Sequence, residues 1–219
     1  MTALPKDPEH IIVPDPDCRL CPRLAAFRDE NRMKFPDKFN APVPSFGTIK
    51  AELLIVGLAP GLKGANFSGR PFTGDFAGEL LYGTLLKYGL AKGEFKARPD
   101  DSLQLVNCRI TNGVRCVPPE NKPTGPEINQ CRQFLTSQIE AMPNLKIILS
   151  LGLVSHNTVL RSCGEKVSGF KFAHGAQHHL QNGKTLIDSY HCSKYNTSTR
   201  RLTEAMFHDV FEEVVKKLG

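Results

Sequence analysis

The chain has 219 residues, of which 40% are apolar, a size and composition that suit one large domain with a buried core. No apolar run approaches the length needed to span a bilayer and the first residues lack a charged-then-apolar leader pattern, so a cytosolic protein is expected. A net charge of +6 favours a polyanionic partner such as nucleic acid, though charge alone does not select one. Residues 1–50 read as an irregular arm punctuated by prolines from Pro5 to Pro44, with one short helix over Arg23–Arg32. Leu53-Leu54-Ile55-Val56-Gly57 is a short apolar run bounded by Gly and Pro, the mark of a buried strand. Phe76–Tyr88 reads as a helix that gathers Leu80, Leu81, Thr84, Leu85 and Tyr88 on one face. Gln104–Asn107 is expected to be a second strand, and Pro126–Met142 a helix with proline in its first turn, where a missing N–H costs nothing. Leu145–Leu151 predicts a third strand and Val154–Arg161 a helix. Asn182-Gly183 marks a tight hairpin between 178–180 and 184–188, the fourth strand. Thr203 is placed to cap a last helix, Glu204–Leu218, which starts acidic and ends in Lys216-Lys217.

Strands that alternate with helices imply an α/β fold: a mainly parallel sheet covered by helices on both faces. Ligands bind such sheets at the carboxyl ends of the strands, so the loops after Gly57, Asn107 and Tyr190 are the ones to inspect.

Four of the seven cysteines fall into two pairs. Cys18 and Cys21 form a C-x-x-C in the arm; Cys116 and Cys131 stand fifteen positions apart around the Pro-rich stretch Val117–Pro123. Four soft thiolates converging from separate segments suit a tetrahedral zinc site or a cubane iron–sulfur cluster. In a reducing cytosol disulfides are disfavoured, and Cys108, Cys163 and Cys192 read as small buried apolar side chains.

The loop after the first strand, Gly57 to Asp75, is rich in glycine, which permits close backbone approach to a ligand. It lacks both the Gly-Lys-Ser/Thr ending of a P-loop and the spacing of a dinucleotide fingerprint. Asp75 stands where the loop meets the next helix. It is a favoured N-cap, expected to be held ionised by the helix N-terminus. Asn112 carries both donors and an acceptor able to read a base edge, and it also suits a turn before Gly113. His191 lies just past a strand end. His10, His156, His174 and His208 read as structural, and His178 and His179 as hairpin residues.

Together these segments resemble a known family. Gly57-Leu-Ala-Pro-Gly61, Gly69-Arg-Pro-Phe-Thr-Gly-Asp75, Thr111-Asn112, Arg115-Cys-Val-Pro-Pro-Glu-Asn-Lys-Pro123 and His191-Cys-Ser-Lys-Tyr-Asn-Thr-Ser-Thr-Arg-Arg-Leu-Thr203 look like the motifs of type b (family 5) uracil-DNA glycosylases. Related type a enzymes carry an acid in the first motif, where Leu58 stands here; Asp75 supplies the acid later, which is the type b pattern. Cys192 stands where members often have Pro, and Arg200 where Gly is frequent.

The resemblance implies a single domain over residues 1–219, a three-layer α/β/α sandwich around a central, mainly parallel four-stranded sheet, and excision of uracil and other deaminated bases such as hypoxanthine and xanthine from DNA. It implies a [4Fe–4S] cluster of structural role on Cys18, Cys21, Cys116 and Cys131. By the same analogy Asp75 and His191 are the catalytic residues. Phe72 stacks on the extruded base, Asn112 bonds its edge, and backbone at Gly57 and Ala59 meets a carbonyl oxygen. Lys194, Arg200 and Arg201 are candidate phosphate contacts, and Tyr195 or Leu202 the wedge that fills the vacated stack. A monomer acting on DNA, with no membrane partner, is expected. The competing expectation is a zinc-stapled nucleic-acid-binding module without catalysis.

Overall fold

The computed structural model describes residues 11–219; His10, Pro5 and Pro8 lie outside the described residues. The arm opens with α1 (Pro22–Lys34), which starts directly after Cys21 and carries proline in its first turn. Then follow β1 (Leu53–Gly57), the one-turn α2 (Ala65–Ser68), α3 (Phe76–Lys87), a small hairpin of β2 (Ala91–Lys92) and β3 (Gln104–Leu105), and β4 (Cys108–Asn112). The second half holds α4 (Gly125–Ala141), β5 (Ile147–Leu151), α5 (Leu153–Ser162), β6 (Gln177–His179), β7 (Thr185–Ser189), α6 (Lys194–Ser198) and α7 (Glu204–Leu218).

The central sheet has five strands in the order β4-β1-β5-β7-β6, one more than expected. Four are parallel, and β6 pairs antiparallel with β7 through the hairpin at Asn182-Gly183. The hairpin signal was legible; what the four-strand expectation lacked was that its first arm joins the main sheet.

A second correction concerns Gln104–Asn107. Only Gln104–Leu105 is a strand, paired with β2 outside the main sheet. The chain turns at Asn107, whose φ of 49° is left-handed, and the sheet strand begins at Cys108. Alternation along Cys108-Arg-Ile-Thr-Asn112 is interrupted by polar side chains, so the more apolar neighbour drew the assignment.

Strand geometry sends successive side chains to opposite faces, and this makes the three layers. Leu53 and Ile55 point to the face covered by α3 and α7, against Leu81, Leu85, Phe207 and Phe211. Leu54 and Val56 point to the other face, under α4 and α5, against Leu135, Ile139, Val159 and Leu160. All five residues of β1 and of β5 are buried, as a strand covered on both sides requires. Thr203 caps α7 by accepting from the Met206 amide at 3.2 Å. A third, smaller core joins Leu24 of α1 to Val114, Cys131 and Phe134.

Candidate active site

Three strands deliver the site. β1 ends at Gly57 beside Asn112, the last residue of β4, and the two are direct register partners. Asn112 is therefore a strand-end residue rather than a turn residue. Gly57 is required by sterics: a Cβ there would collide with the Asn112 Oδ1 atom and stand 2.6 Å from the Phe72 ring. Absence of a side chain lets an amide and an aromatic ring approach each other over the strand end.

Phe72 is buried and holds a φ of 54°, a left-handed conformation that costs a bulky residue roughly 1–3 kcal/mol. Its neighbours enforce it. Arg70 makes a two-pronged pair with Asp101, at 2.7 Å on each arm, and donates to Thr73 Oγ1 at 2.7 Å. The guanidinium lies 5.3–5.8 Å from the rings of Phe46, Tyr82 and Phe95. Sequence reading missed Asp101, because nothing in its local composition announces a partner 31 positions upstream. The Phe72 ring reaches His191, with centroids 6.0 Å apart and planes 30° apart.

Asp75 is the N-cap of α3 and accepts from the Gly78 amide at 3.1 Å. Gly64 leaves room for it, since a Cβ there would stand 2.6 Å from Oδ2. Burial raises its pKa above the ordinary aspartate range, with the amides of Gly78 and Ala77 opposing. Desolvation thus outweighs the stabilisation that the helix N-terminus gives the anion.

One cavity is lined by Asp75 and His191 together with Leu58, Ala59, Lys194 and Asn121. Burial lowers the His191 pKa to about 4, so the imidazole is neutral at neutral pH. Its Nδ1 is buried and has no hydrogen-bond partner. Asn196 fixes the loop by donating to the His191 carbonyl at 2.8 Å. Asn121 comes from the Pro-rich stretch between the second pair of cysteines. It sits in a left-handed turn, φ 57°, and its place in the Arg115–Pro123 motif is the sequence signal that could have singled it out.

Lys194 lines the cavity, and Arg200 and Arg201 are exposed. Arg200 has a φ of 56°, which explains why glycine suits that position. Arg201 packs over the Tyr190 ring at 4.9 Å. Of the two wedge candidates, Leu202 is fully buried in the core and is withdrawn, whereas Tyr195 is 72% exposed. The apolar character of Leu202 is used to seat the loop against α7.

Cys18, Cys21, Cys116 and Cys131 line a second cavity with apolar walls from Leu20, Leu24, Val114 and Phe134. Arg23 of α1 pairs with Glu127 of α4 at 2.7 Å on both arms, which ties the two cysteine-bearing segments together. Burial raises the thiol pKa to about 11 at Cys116 and about 12 at Cys131. Deprotonation there needs a cationic centre, which a metal supplies. Of the other cysteines, Cys108 and Cys192 are buried as expected, and Cys163 is half-buried. His156 and His178 bond Asp188 at 2.8 and 3.0 Å, a structural role as expected for His156.

Ala59 and two backbone hydrogen bonds link the surroundings of the two cavities. Ala59 touches the small core around Cys116 and Cys131 while lining the Asp75 cavity. The amides of Gly113 and Val114 donate to the carbonyls of Gly57 and Leu58, both at 2.9 Å.

The family model described as the uracil DNA glycosylase superfamily matches residues 44–215. A type-5 uracil-DNA glycosylase of Thermus thermophilus is 39% identical over 207 residues, which cover 92% of this chain and 94% of that protein. One of Mycobacterium leprae is 40% identical over 212 residues, 92% of each chain. One of Pyrobaculum aerophilum is 32% identical over 207 residues, 93% of this chain and 90% of the other.

Proposed function

The chain belongs to the uracil-DNA glycosylase superfamily and is a DNA N-glycosylase, and we propose that it excises uracil, hypoxanthine and xanthine from DNA through Asp75 and His191, leaving an abasic site. The observation that carries this reading is that a carboxylate and a neutral imidazole with an unpartnered ring nitrogen line one cavity at the carboxyl ends of the strands.

A base inside a duplex is out of reach, so the nucleotide swings out of the stack, at a cost of a few kcal/mol that is smallest for a mismatched base. The extruded base lies against Phe72, with Asn112 bonding its edge and backbone near Gly57 and Ala59 meeting a carbonyl oxygen. As the N-glycosidic bond lengthens, the sugar gains positive charge and the base negative charge. Asp75 faces the sugar, where its carboxylate stabilises the cation or orients water, and Asn121 supplies a second polar group for that water. His191 donates to the base oxygen. A neutral imidazole suits this, because it carries one N–H and pays no cost for a buried charge. Lys194, Arg200 and Arg201 meet phosphates, and Tyr195 enters the vacated stack.

The four cysteines fit a [4Fe–4S] cluster better than one zinc ion. Thiolates on a tetrahedral zinc stand about 3.8 Å apart, given a Zn–S bond of about 2.3 Å. Among the described residues, the metal-ligating groups that gather within 4.8 Å of one another are His156, His178 and Asp188, and the four cysteines are more widely spread. When bound, the cluster supplies a rigid four-point clamp on the arm and the Asn121 loop. Base release involves no change of oxidation state and asks nothing more of it.

The test is a gel assay of labelled DNA carrying uracil, hypoxanthine, xanthine or no lesion, with alkaline cleavage at abasic sites. Asp75→Ala is expected to bind DNA and lose at least about a hundredfold in base release. Near-wild-type excision by that variant would remove Asp75 from the mechanism.

A further inference from the structure

Arg28 lies on the buried side of α1, two turns beyond Cys21, and is 1% exposed. Its Nη1 donates to the Cys18 carbonyl at 2.9 Å. Its Nε and Nη2 atoms are buried with no hydrogen-bond partner, and its nearest carboxylate oxygen, on Asp29, stands 3.8 Å from Nε. The same guanidinium acts electrostatically on the Cys116 thiol and favours its anionic form. A buried cation with idle donors is costly unless an anion faces it.

A second buried arginine lines the cysteine cavity. Arg115 is 3% exposed and bonds only neutral oxygens, on Val43 and Gln138, while its Nε has no partner. Its backbone amide donates to the Cys131 sulfur at 3.4 Å, and Cys131 and Cys116 are the groups whose thiolate forms would favour its charge. The protein has thus enclosed two arginines beside four thiols, and among the described residues neither guanidinium has a carboxylate oxygen within hydrogen-bond distance.

We propose that Arg28, with Arg115 behind it, is the counter-cation of the iron–sulfur cluster, its idle N–H groups donating to the cluster's sulfur atoms. This rests on the cluster reading above. Four thiolates around a cluster core of charge 2+ carry a net charge of about −2, which two guanidinium groups balance. Hydrogen bonds and positive charge at the sulfurs stabilise the more reduced form, so Arg28 raises the reduction potential and slows oxidative loss of the cluster.

The experiment compares wild type with Arg28→Gln, and with Arg28→Met, whose apolar chain needs no partner in a buried site and keeps the test open if the glutamine variant does not fold. Iron and sulfide per chain are measured first, then the potential by protein-film voltammetry, and the bleaching rate of the visible absorbance under ferricyanide. Both variants are expected to shift to a more negative potential and to bleach several-fold faster, or to fold without retaining iron. A fully loaded variant with the wild-type potential and bleaching rate overturns the role of Arg28. Wild-type protein that holds one zinc and no iron overturns the cluster itself, a separate result visible before any variant is made.

Discussion

Asp101→Ala tests how the Phe72 ring, proposed to stack on the base, is held. The Asp101 carboxylate accepts two N–H groups of Arg70 at 2.7 Å and the amides of Lys96 and Leu103 at 3.0 and 3.1 Å. The paired side chains are 7% and 0% exposed. Removal of the acid leaves a buried guanidinium with one hydroxyl and three aromatic rings for company. Breaking a buried pair from one side costs about 3–5 kcal/mol. The ring faces contribute about 0.5–2 kcal/mol but are present before and after, so they do not offset the loss. For a chain of this length the expected fall in melting temperature is roughly 6–20 °C, measured by circular dichroism at matched iron content. Because Arg70 precedes Phe72 by two residues, base release is expected to fall as Phe72 leaves its left-handed conformation. Arg70→Met combined with Asp101→Ala removes the orphaned charge and is expected to recover much of the stability. A loss under about 1 kcal/mol in Asp101→Ala, or a double variant no better than the single, refutes the reasoning. The pH dependence carries a sign as well. Arg70 holds the Asp101 carboxyl well below the usual carboxylate range, so its stabilisation is complete above the unfolded value near 4 and is lost as pH falls through the folded one. Asp101→Asn is expected to flatten that acid limb.

Gly57→Ala places a methyl against Asn112 and Phe72; about 1–3 kcal/mol of stability and most of the base release are expected to be lost, and a variant with wild-type excision shows that the strand end is not part of the base pocket. Burial lowers the His191 pKa to about 4, so the neutral form should persist from neutral pH down to that value. Stability tied to it is complete above about 6.5 and is lost as pH falls through 4, a slope that His191→Gln should abolish in acid unfolding curves. His191→Ala should cost about a hundredfold or more in single-turnover rate with DNA binding retained. Tyr195→Ala should slow excision from duplexes far more than from single strands; equal losses on both remove it as the wedge. Lys194→Ala or Arg200→Ala should each reduce the slope of log affinity against log salt by about 0.9, and an unchanged slope means no phosphate contact.

How a proposed clamp at the cysteines would serve the site follows from chain connectivity. Asn121 stands between Cys116 and Cys131, and Ala59 contacts both the cysteine core and the Asp75 cavity. Two hydrogen bonds tie Gly57 and Leu58 to Gly113 and Val114, just upstream of Cys116. Loss of order at the cysteines is therefore expected to reach the backbone at Gly57 and Leu58, proposed to face the base, through a few short connections.

The local chemistry of the chain determined a good deal by itself. Apolar runs bounded by Gly and Pro gave β1 and β5, caps and periodicity gave α3 and α7 to within a residue, and the resemblance of its motifs singled out Asp75, Phe72, Asn112, His191 and the four cysteines as candidates. These signals lie in the residues themselves or in neighbours a few positions away. What only the tertiary structure decided depends on distant segments meeting. Cys108–Asn112 is a strand because β1 offers it a parallel partner, although its own pattern is mixed. Leu202 belongs to the core and Tyr195 to solvent because α7 covers one and not the other. The rise in the Asp75 pKa, the partnership of Arg70 with Asp101, and the enclosure of Arg28 and Arg115 beside the cysteines all arise from desolvation and charge across the fold, quantities that no stretch of sequence carries until the chain has closed around it.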